Sequence, residues 1–345
     1  MRYRSPSLRL LLHYRPYRLP FRVPMRTAHG TWLEREGLLV RLEDEDGAVG
    51  WGEAAPMPEF GTESAPEAEA ACRALSGPVG DRELAAPAGM PCLEAALRAA
   101  QAELEARHLG KTGPGPVRDA LPVAALLPAG RGAPAELRRR ADADFRTFKW
   151  KVGAGDADEE LGLFDEICAE LPPGAKIRLD ANGAWDRRRA ERWLDRCAGR
   201  PVEFVEQPVA RGADDLLMGL ARDHPTTVAL DESLVGDRDV GRWLALGWNG
   251  VFVVKPSLLA DLSGSLAILA AAGADVVFSS ALETAVGARF ALGAAFGWRG
   301  AVRALGFGVW PLFSDARLDG PQAAPFLSHA DIDRINPETA WNALN

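Results

Sequence analysis

The chain has 345 residues, 47% hydrophobic and 26% charged, which suits a globular enzyme with one large domain and a smaller one beside it. A formal net charge of −8 argues against a nucleic-acid binder, which would need a basic face, and no stretch reaches the ~18 uninterrupted apolar residues of a membrane span. The four cysteines (Cys72, Cys92, Cys168, Cys197) are far apart, form no CxxC pair and read as reduced thiols of a cytoplasmic protein.

The opening MRYRSPSLRLLLHY imitates a signal peptide, but Arg9 and His13 leave an apolar run of about four residues, below the roughly seven of a signal core. It predicts instead a first strand over 8–14. Two more strands follow at 37–42 and 48–53, joined by an Asp46-Gly47 hairpin turn. Ser64 and Glu67 form a capping box with Pro66 in the first turn, predicting a helix over 67–75. Pro91 opens a second helix over 92–108. These elements define an α+β domain over 1–112, and the glycine- and proline-rich stretch 110–116 marks its boundary.

Beyond it, short apolar runs alternate with helical segments. Strands are predicted at LPVAAL (from Leu121), FRTFKWKV (Phe145), KIRLDA (Lys176), VEFVEQ (Val202), TVALDE (Thr227), GVFVVK (Gly250), DVVFSS (Asp275) and AVRAL (Ala301). Segments 158–171 and 187–198 carry apolar residues at helical spacing among charges, as surface helices do. Strand ends recur roughly every 25 residues over some eight units, the spacing of a β/α barrel. The expectation is a (β/α)7β TIM-like barrel over 113–312, with residues 313–345 packing back on the first domain.

Only five of the forty basic residues are lysine, and three of them, Lys149, Lys151 and Lys255, stand at strand ends. Arginine keeps its proton at any ordinary pH, whereas a lysine among other charges can give it up. Between these lysines the strand ends supply Asp180, Glu206 and Asp231, with Ser279 and Ser280 following on. Barrel enzymes build their sites at that face. Alternation puts Lys149 and Lys151 on one side of their strand, and Arg178, Asp180 and Asn182 on one side of the next. A lone LDA or LDE is often a helix cap. Three carboxylates converging from neighbouring strands repel one another, and a hard divalent cation resolves the conflict. Lysines beside a metal-bound carboxylate suit removal of the proton on the adjacent carbon, with magnesium stabilising the enediolate.

The order KxK, D, E, D, K resembles the enolase superfamily, in particular its muconate-cycloisomerase-like subgroup. KWKVG, RLDANGAW, FVEQP, ALDES, VVKPS and FSSALETAVG each look like that subgroup's strand-end segments. MRTAHGTWLEREGLLVRL and GWGEAAPMPEFGTES resemble its capping domain, so the similarity spans nearly the whole chain. RTAHG, RLDAN and SSALE look most like the o-succinylbenzoate synthases of menaquinone or phylloquinone biosynthesis. The resemblance implies Asp180, Glu206 and Asp231 as magnesium ligands, with manganese able to substitute. Lys151 is implied as the base and then the acid. Lys255 is implied as the stabilising cation on the opposite face, with Lys149 beside the base. Arg178, Asn182, Ser279, Ser280, Arg26 and His29 are implied around the substrate, a small-molecule carboxylate, and Glu232 behind the metal ligands. Loops around 26–32 and 55–61 are expected to close over it. ALGFGVWPLF (304–313) departs from the pattern, with Phe307 and Val309 where smaller or polar residues are expected.

A dipeptide epimerase or N-acylamino acid racemase on the same scaffold is the rival reading; an acidic pair near strand eight would then hold an amino group. Asp315 and Asp319 are the available acids. A catalytically silent scaffold is the third reading, opposed by the intact constellation. Leu109-Gly110-Lys111-Thr112 imitates a phosphate loop but has Glu105 where glycine is required. Gly153-Ala154-Gly155 lacks the third glycine of a dinucleotide fingerprint. No histidine has metal spacing. The sequence assigns no oligomeric state.

Overall fold

The computed structural model describes residues 9–27, 30–80, 84–110 and 117–344. A first sheet has the order β3-β2-β1-β4, from β1 (Arg9–Thr27), β2 (Gly30–Asp44), β3 (Val49–Ala54) and β4 (Gly77–Gly80). β1 and β2 form an antiparallel hairpin far longer than 8–14 and 37–42 suggest. Pro16, Pro20 and Pro24 hide the extension, yet β4 pairs only with Arg9–Leu12, and beyond that the outer edge of β1 carries only the short Phe21–Phe313 bridge among the described residues, so proline costs little there. Helices α1 (Ala65–Leu75) and α2 (Pro91–His108) cover this sheet. Cys92, Leu93, Leu97 and Leu104 pack on Leu10, Leu12, Leu38 and Val40. Gly50 and Gly52 of β3 admit α2 against bare backbone: a Cβ on either would stand 1.9 or 2.0 Å from the Ala100 or Ala96 carbonyl oxygen. The Ser64–Glu67 capping box is present.

The second sheet is a ring of parallel strands. In order these are β5 (Ala120–Leu127), β6 (Thr147–Lys151), β7 (Lys176–Asp180), β8 (Val202–Glu206), β9 (Val228–Leu230), β10 (Val251–Val254), β11 (Asp275–Phe278) and β12 (Leu305–Gly308). A Ser279–Gly306 bridge and the hydrogen bond from the Ser280 N–H to the Gly306 carbonyl join β11 to β12 and close it. Seven helices alternate with the strands: α3 (Ala133–Asp142), α4 (Ala157–Glu170), α5 (Arg187–Cys197), α6 (Asp214–Asp223), α7 (Asp237–Ala245), α8 (Leu262–Ala271) and α9 (Ala285–Gly297). This is the expected (β/α)7β arrangement. Phe148, Trp150, Ile177 and Leu179 point outward into the strand–helix layer; burying a side chain such as Phe148 is worth about 1.5–3 kcal/mol. Phe204, Ala229, Val251, Val253 and Val277 form a separate apolar cluster.

The eighth strand corrects one expectation. AVRAL overlaps β12 only at Leu305, because Arg303 lies before the strand, paired with Asp275 and Glu203. The strand itself is LGFG, poor in β-formers. After it, β13 (Phe326–Ser328) pairs antiparallel with β5, followed by α10 (His329–Asp333) and α11 (Pro337–Ala343). Trp341 of α11 meets Trp51 of β3 edge-on with centroids 5.6 Å apart. The return segment thus divides its contacts between barrel and first sheet. Among the described residues, no helix is long and apolar enough to cross a membrane.

Candidate active site

One end of the ring opens into a cavity. Lys149 and Lys151 reach it from β6, Asp180 and Asn182 from β7, Asp231 from β9, Lys255 from β10, and Ser279 and Ser280 from β11. Met25, Trp32, Met57 and Phe60 line it from the first sheet and its loops, where closing segments are expected. In a ring of eight, β6 and β10 stand four strands apart, so Lys151 and Lys255 face each other across the acids.

The charges are interleaved. The Lys149 ammonium lies 2.9 Å from Asp180 Oδ2 and 2.7 Å from Glu206 Oε1. Burial opposes its charge, but Asp180, Glu206 and Asp231 outweigh burial and hold Lys149 protonated above its ordinary range. Lys151 donates to the neutral Asn182 Oδ1 at 2.9 Å and stands 3.5 Å from Asp180 Oδ2. Lys255 pairs with Asp231, and its ammonium lies 4.8 Å from the Phe60 ring centroid, a cation–π contact from the covering loop. Burial raises Asp180, yet Lys149, Lys151 and Lys255 prevail and keep its carboxyl below the usual range. Burial, then the Asp180 charge, pushes Glu206 up to about 8. Burial, then Asp231, raises Glu232 to about 7.

None of the three strand-end acids is a helix cap; Asp156 and Asp186 cap α4 and α5. The carboxylates are held from behind. Glu232 Oε1 accepts from Asn182 Nδ2 at 3.0 Å, while its Oε2 is buried without a partner. Gln207, which sequence reasoning passed over, accepts from the Asp231 and Ser233 amides, both at 3.1 Å, and so ties the end of β8 to that of β9. Its only trace in sequence is its place after Glu206. Asn182, Gln207 and Leu282 adopt left-handed φ values of +45°, +38° and +61°, backbone strain gathered at this one face.

Among the described residues no group of His, Cys, Asp and Glu stands at the distances of a closed metal cage; ammonium groups bridge the acids. The donor set nonetheless fits a hard divalent ion. It offers buried carboxylates from β7, β8 and β9, burial and then mutual repulsion that push Glu206 upward, and the unpartnered Glu232 oxygen behind them.

Three expectations change. Arg178 does not line the cavity: its Nε donates to Glu203 at 2.6 Å and its guanidinium lies 4.8 Å from the Phe204 ring centroid, within the ring. A substrate contact gives way to a buried ion pair, because inward-facing residues two apart sit in different layers. Phe307 turns outward to stack on Trp310, and Gly306, Gly308 and Val309 face the cavity instead. Ser280 lines the cavity, but its hydroxyl is bonded within its own loop, to Glu283 and the Leu282 amide. His29 and the Arg26 side chain lie outside the described residues, as do Lys111 and Thr112. The Gly153 and Gly155 amides donate to Glu160, which fills that turn from within the chain.

Residues 133–315 match the family of enolase C-terminal domain-like proteins, and residues 9–104 match the MenC N-terminal domain. The o-succinylbenzoate synthase of Thermosynechococcus vestitus is 40% identical over 304 residues, covering 86% of this chain and 91% of that protein. A hydrophobic dipeptide epimerase of Roseobacter litoralis is 31% identical over 246 residues, 64% of this chain and 68% of that one. The solved o-succinylbenzoate synthase of Thermosynechococcus elongatus, with magnesium in its active site, superposes with a TM-score of 0.76 at 35% identity, covering 96% of this chain and 99% of that one. An N-succinyl Arg/Lys racemase of Bacillus cereus superposes at 0.84 with 18% identity and 98% of each chain covered, a likeness of fold alone.

Proposed function

The chain belongs to the enolase C-terminal domain-like family and carries a MenC N-terminal domain, and from that premise we propose how its cavity works as an o-succinylbenzoate synthase site. The protein is a carbon–oxygen lyase of menaquinone biosynthesis. It dehydrates 2-succinyl-6-hydroxy-2,4-cyclohexadiene-1-carboxylate to 2-succinylbenzoate through an enediolate, with hydrogen and hydroxide leaving from the same face.

Lys151 takes the proton from the ring carbon that bears the carboxylate. The same ammonium then returns it to the departing hydroxide, so that water leaves and the ring becomes aromatic. Lys149 is fixed between two carboxylates that hold it protonated, whereas the nearest partner of Lys151 is a neutral amide oxygen, so the base's part falls to Lys151. Lys255 holds positive charge on the opposite face. Asp180, Glu206 and Asp231 would hold a magnesium ion, for which manganese can substitute, with Asn182, Glu232 and Gln207 setting their orientation. When bound, the ion supplies positive charge that lowers the cost of ionising a carbon next to a carboxylate. We read residues 1–112 as cap, 113–312 as catalytic barrel and 313–345 as the return segment. The four free cysteines suit a cytoplasmic enzyme.

One observation carries the choice of substrate. The cavity wall at strand eight is Gly306, Gly308 and Val309, with no carboxylate to receive an ammonium group. Asp315 is committed to Arg317, and Asp319 to the amides of Leu312 and Phe313; neither lines the cavity. That disfavours a dipeptide and suits an apolar ring. The test offers the purified protein the cyclohexadiene and follows the aromatic product in the ultraviolet, with dipeptides and N-succinyl amino acids incubated in D₂O alongside. Absence of aromatic product together with fast α-exchange on dipeptides would reverse the assignment.

A further inference from the structure

Two buried charged side chains of the first sheet reach across to the barrel and take no part in the chemistry above. Glu53, on β3, accepts from the Tyr17 hydroxyl at 2.6 Å. Across the boundary it accepts from the amides of Thr284 and Gly287, both at 2.8 Å, and from the Thr284 hydroxyl. It therefore caps α9 from outside the barrel. Among the described residues Arg35, on β2, bonds carbonyl oxygens alone. On its own side these belong to Ala55 and Pro56, both at 2.6 Å, and Glu36 at 3.0 Å. On the barrel side they belong to Ala281 at 3.1 Å and Leu282 at 3.3 Å.

Every barrel partner of this pair lies within residues 281–287, the turn that follows Ser279 and Ser280 and puts Leu282 into the cavity wall. The turn is strained: Leu282 holds a φ of +61°, a conformation that persists only when its surroundings impose it. Its internal bonds are local, from the Leu282 amide to Ser280 Oγ at 2.9 Å and from the Ala281 amide to Glu283 Oε2 at 2.5 Å. Besides core packing of Leu282 and the α9 backbone, the turn is held by side chains of the cap, Glu53 and Arg35.

We propose that Glu53 and Arg35 are positioning residues for the substrate wall, holding the strand-seven turn in its strained shape from the capping sheet. This rests on the reading that the cavity is the substrate site. A side chain that merely stabilised the fold would, when replaced, lower the amount of active enzyme and leave KM alone. A side chain that shapes the wall changes KM while the lysine chemistry continues.

The test uses Glu53→Gln and Arg35→Lys in the full chain, measuring steady-state kinetics and backbone amide exchange. The glutamine amide cannot accept as a carboxylate does, so a donor at the α9 N-terminus loses its partner. Lysine keeps the charge of Arg35 but not its fan of five donors. Each variant is expected to raise KM roughly tenfold with kcat changed by no more than about threefold. Amides of 281–287 should exchange faster while those of β6 to β8 stay protected. Unchanged KM with kcat falling in step with the folded fraction, or exchange rising uniformly, overturns the proposal. Should Glu53→Gln fail to fold, Tyr17→Phe, which removes one donor to Glu53, is read by the same two criteria. If the wild type does not dehydrate the cyclohexadiene, the functional reading falls, and local exchange at 281–287 still decides the positioning role.

Discussion

The ring presents two unlike arcs to its cavity. From β6 to β10 it supplies Lys149, Lys151, Asp180, Asp231 and Lys255, each charge answered by another within the arc. From β11 through β12 to β5 it supplies Ser279, Gly306, Gly308, Val309, Ala124 and Leu126, without a single ionisable group. In the proposed function the first arc ionises the carbon beside the substrate carboxylate and the second selects the rest of the molecule. Reaction and selection would then be built on opposite sides of one barrel, and changes to each should have separable signatures.

The largest expected effect lies in the charged arc. Chelation should abolish activity, and Mg²⁺ or Mn²⁺ should restore it; Asp180→Ala or Asp231→Ala should lose roughly 10⁴-fold in rate with no rescue by added metal. Full activity in the metal-stripped protein would dissolve the distinction between the arcs. Next comes the base: Lys151→Ala should cost roughly 10²–10⁴ in kcat, and Lys151→Arg nearly as much, because guanidinium cannot accept the proton. Lys255→Arg should keep measurable dehydration if that lysine contributes charge alone, whereas an epimerase would lose its reaction with either replacement.

Behind the apolar arc, Glu283 makes no ion pair among the described residues, and burial pushes its carboxyl up to about 7. Its folded pKa exceeds its unfolded one, so the folded state binds the proton more tightly. Its contribution to stability is full below about pH 4.5 and fades as pH rises through 7. Glu283→Gln should remove that dependence and stabilise the protein at pH 8 by at most about 3 kcal/mol, read from denaturant unfolding at pH 5 and pH 8. A wild-type curve equally steep in the variant would show that the burden sits elsewhere. The smallest effect belongs to the wall: Val309→Asp should raise KM for the dicarboxylate about tenfold and leave magnesium titration unchanged. A matching loss of metal affinity would mean that the arcs are not independent.

The two arcs were also unequally legible in the sequence. Lysine in an arginine-rich chain, and acids ending apolar runs, stand out because charge at a strand end is rare and periodic. The apolar wall has no such mark. Ala124 and Leu126 look like any core residue, and only the fold shows that they face a cavity. Alternation decided the fate of Phe307, which turns out to the helices while glycines turn in, and β12 was misplaced because a strand of LGFG has little β-propensity to announce it. Resemblance and parity both group Arg178 with the site, but parity fixes the side of a strand and not the layer. Glu53 and Arg35 were invisible as a pair because the residues they serve are more than two hundred positions away.

The meeting of Arg15 with Trp341 has a consequence for how the molecule is made. The guanidinium donates to the Trp341 carbonyl across 326 positions of sequence and lies 4.2 Å from the indole centroid. A ribosome adding roughly 5–20 residues per second delivers these partners tens of seconds apart. Throughout that interval the face of Trp51 that Trp341 covers stands open. Contacts of this span also make folding slow in the test tube, since the loop must close before it is rewarded. Synthesis, more than catalysis, is where a lesion in α11 would be felt.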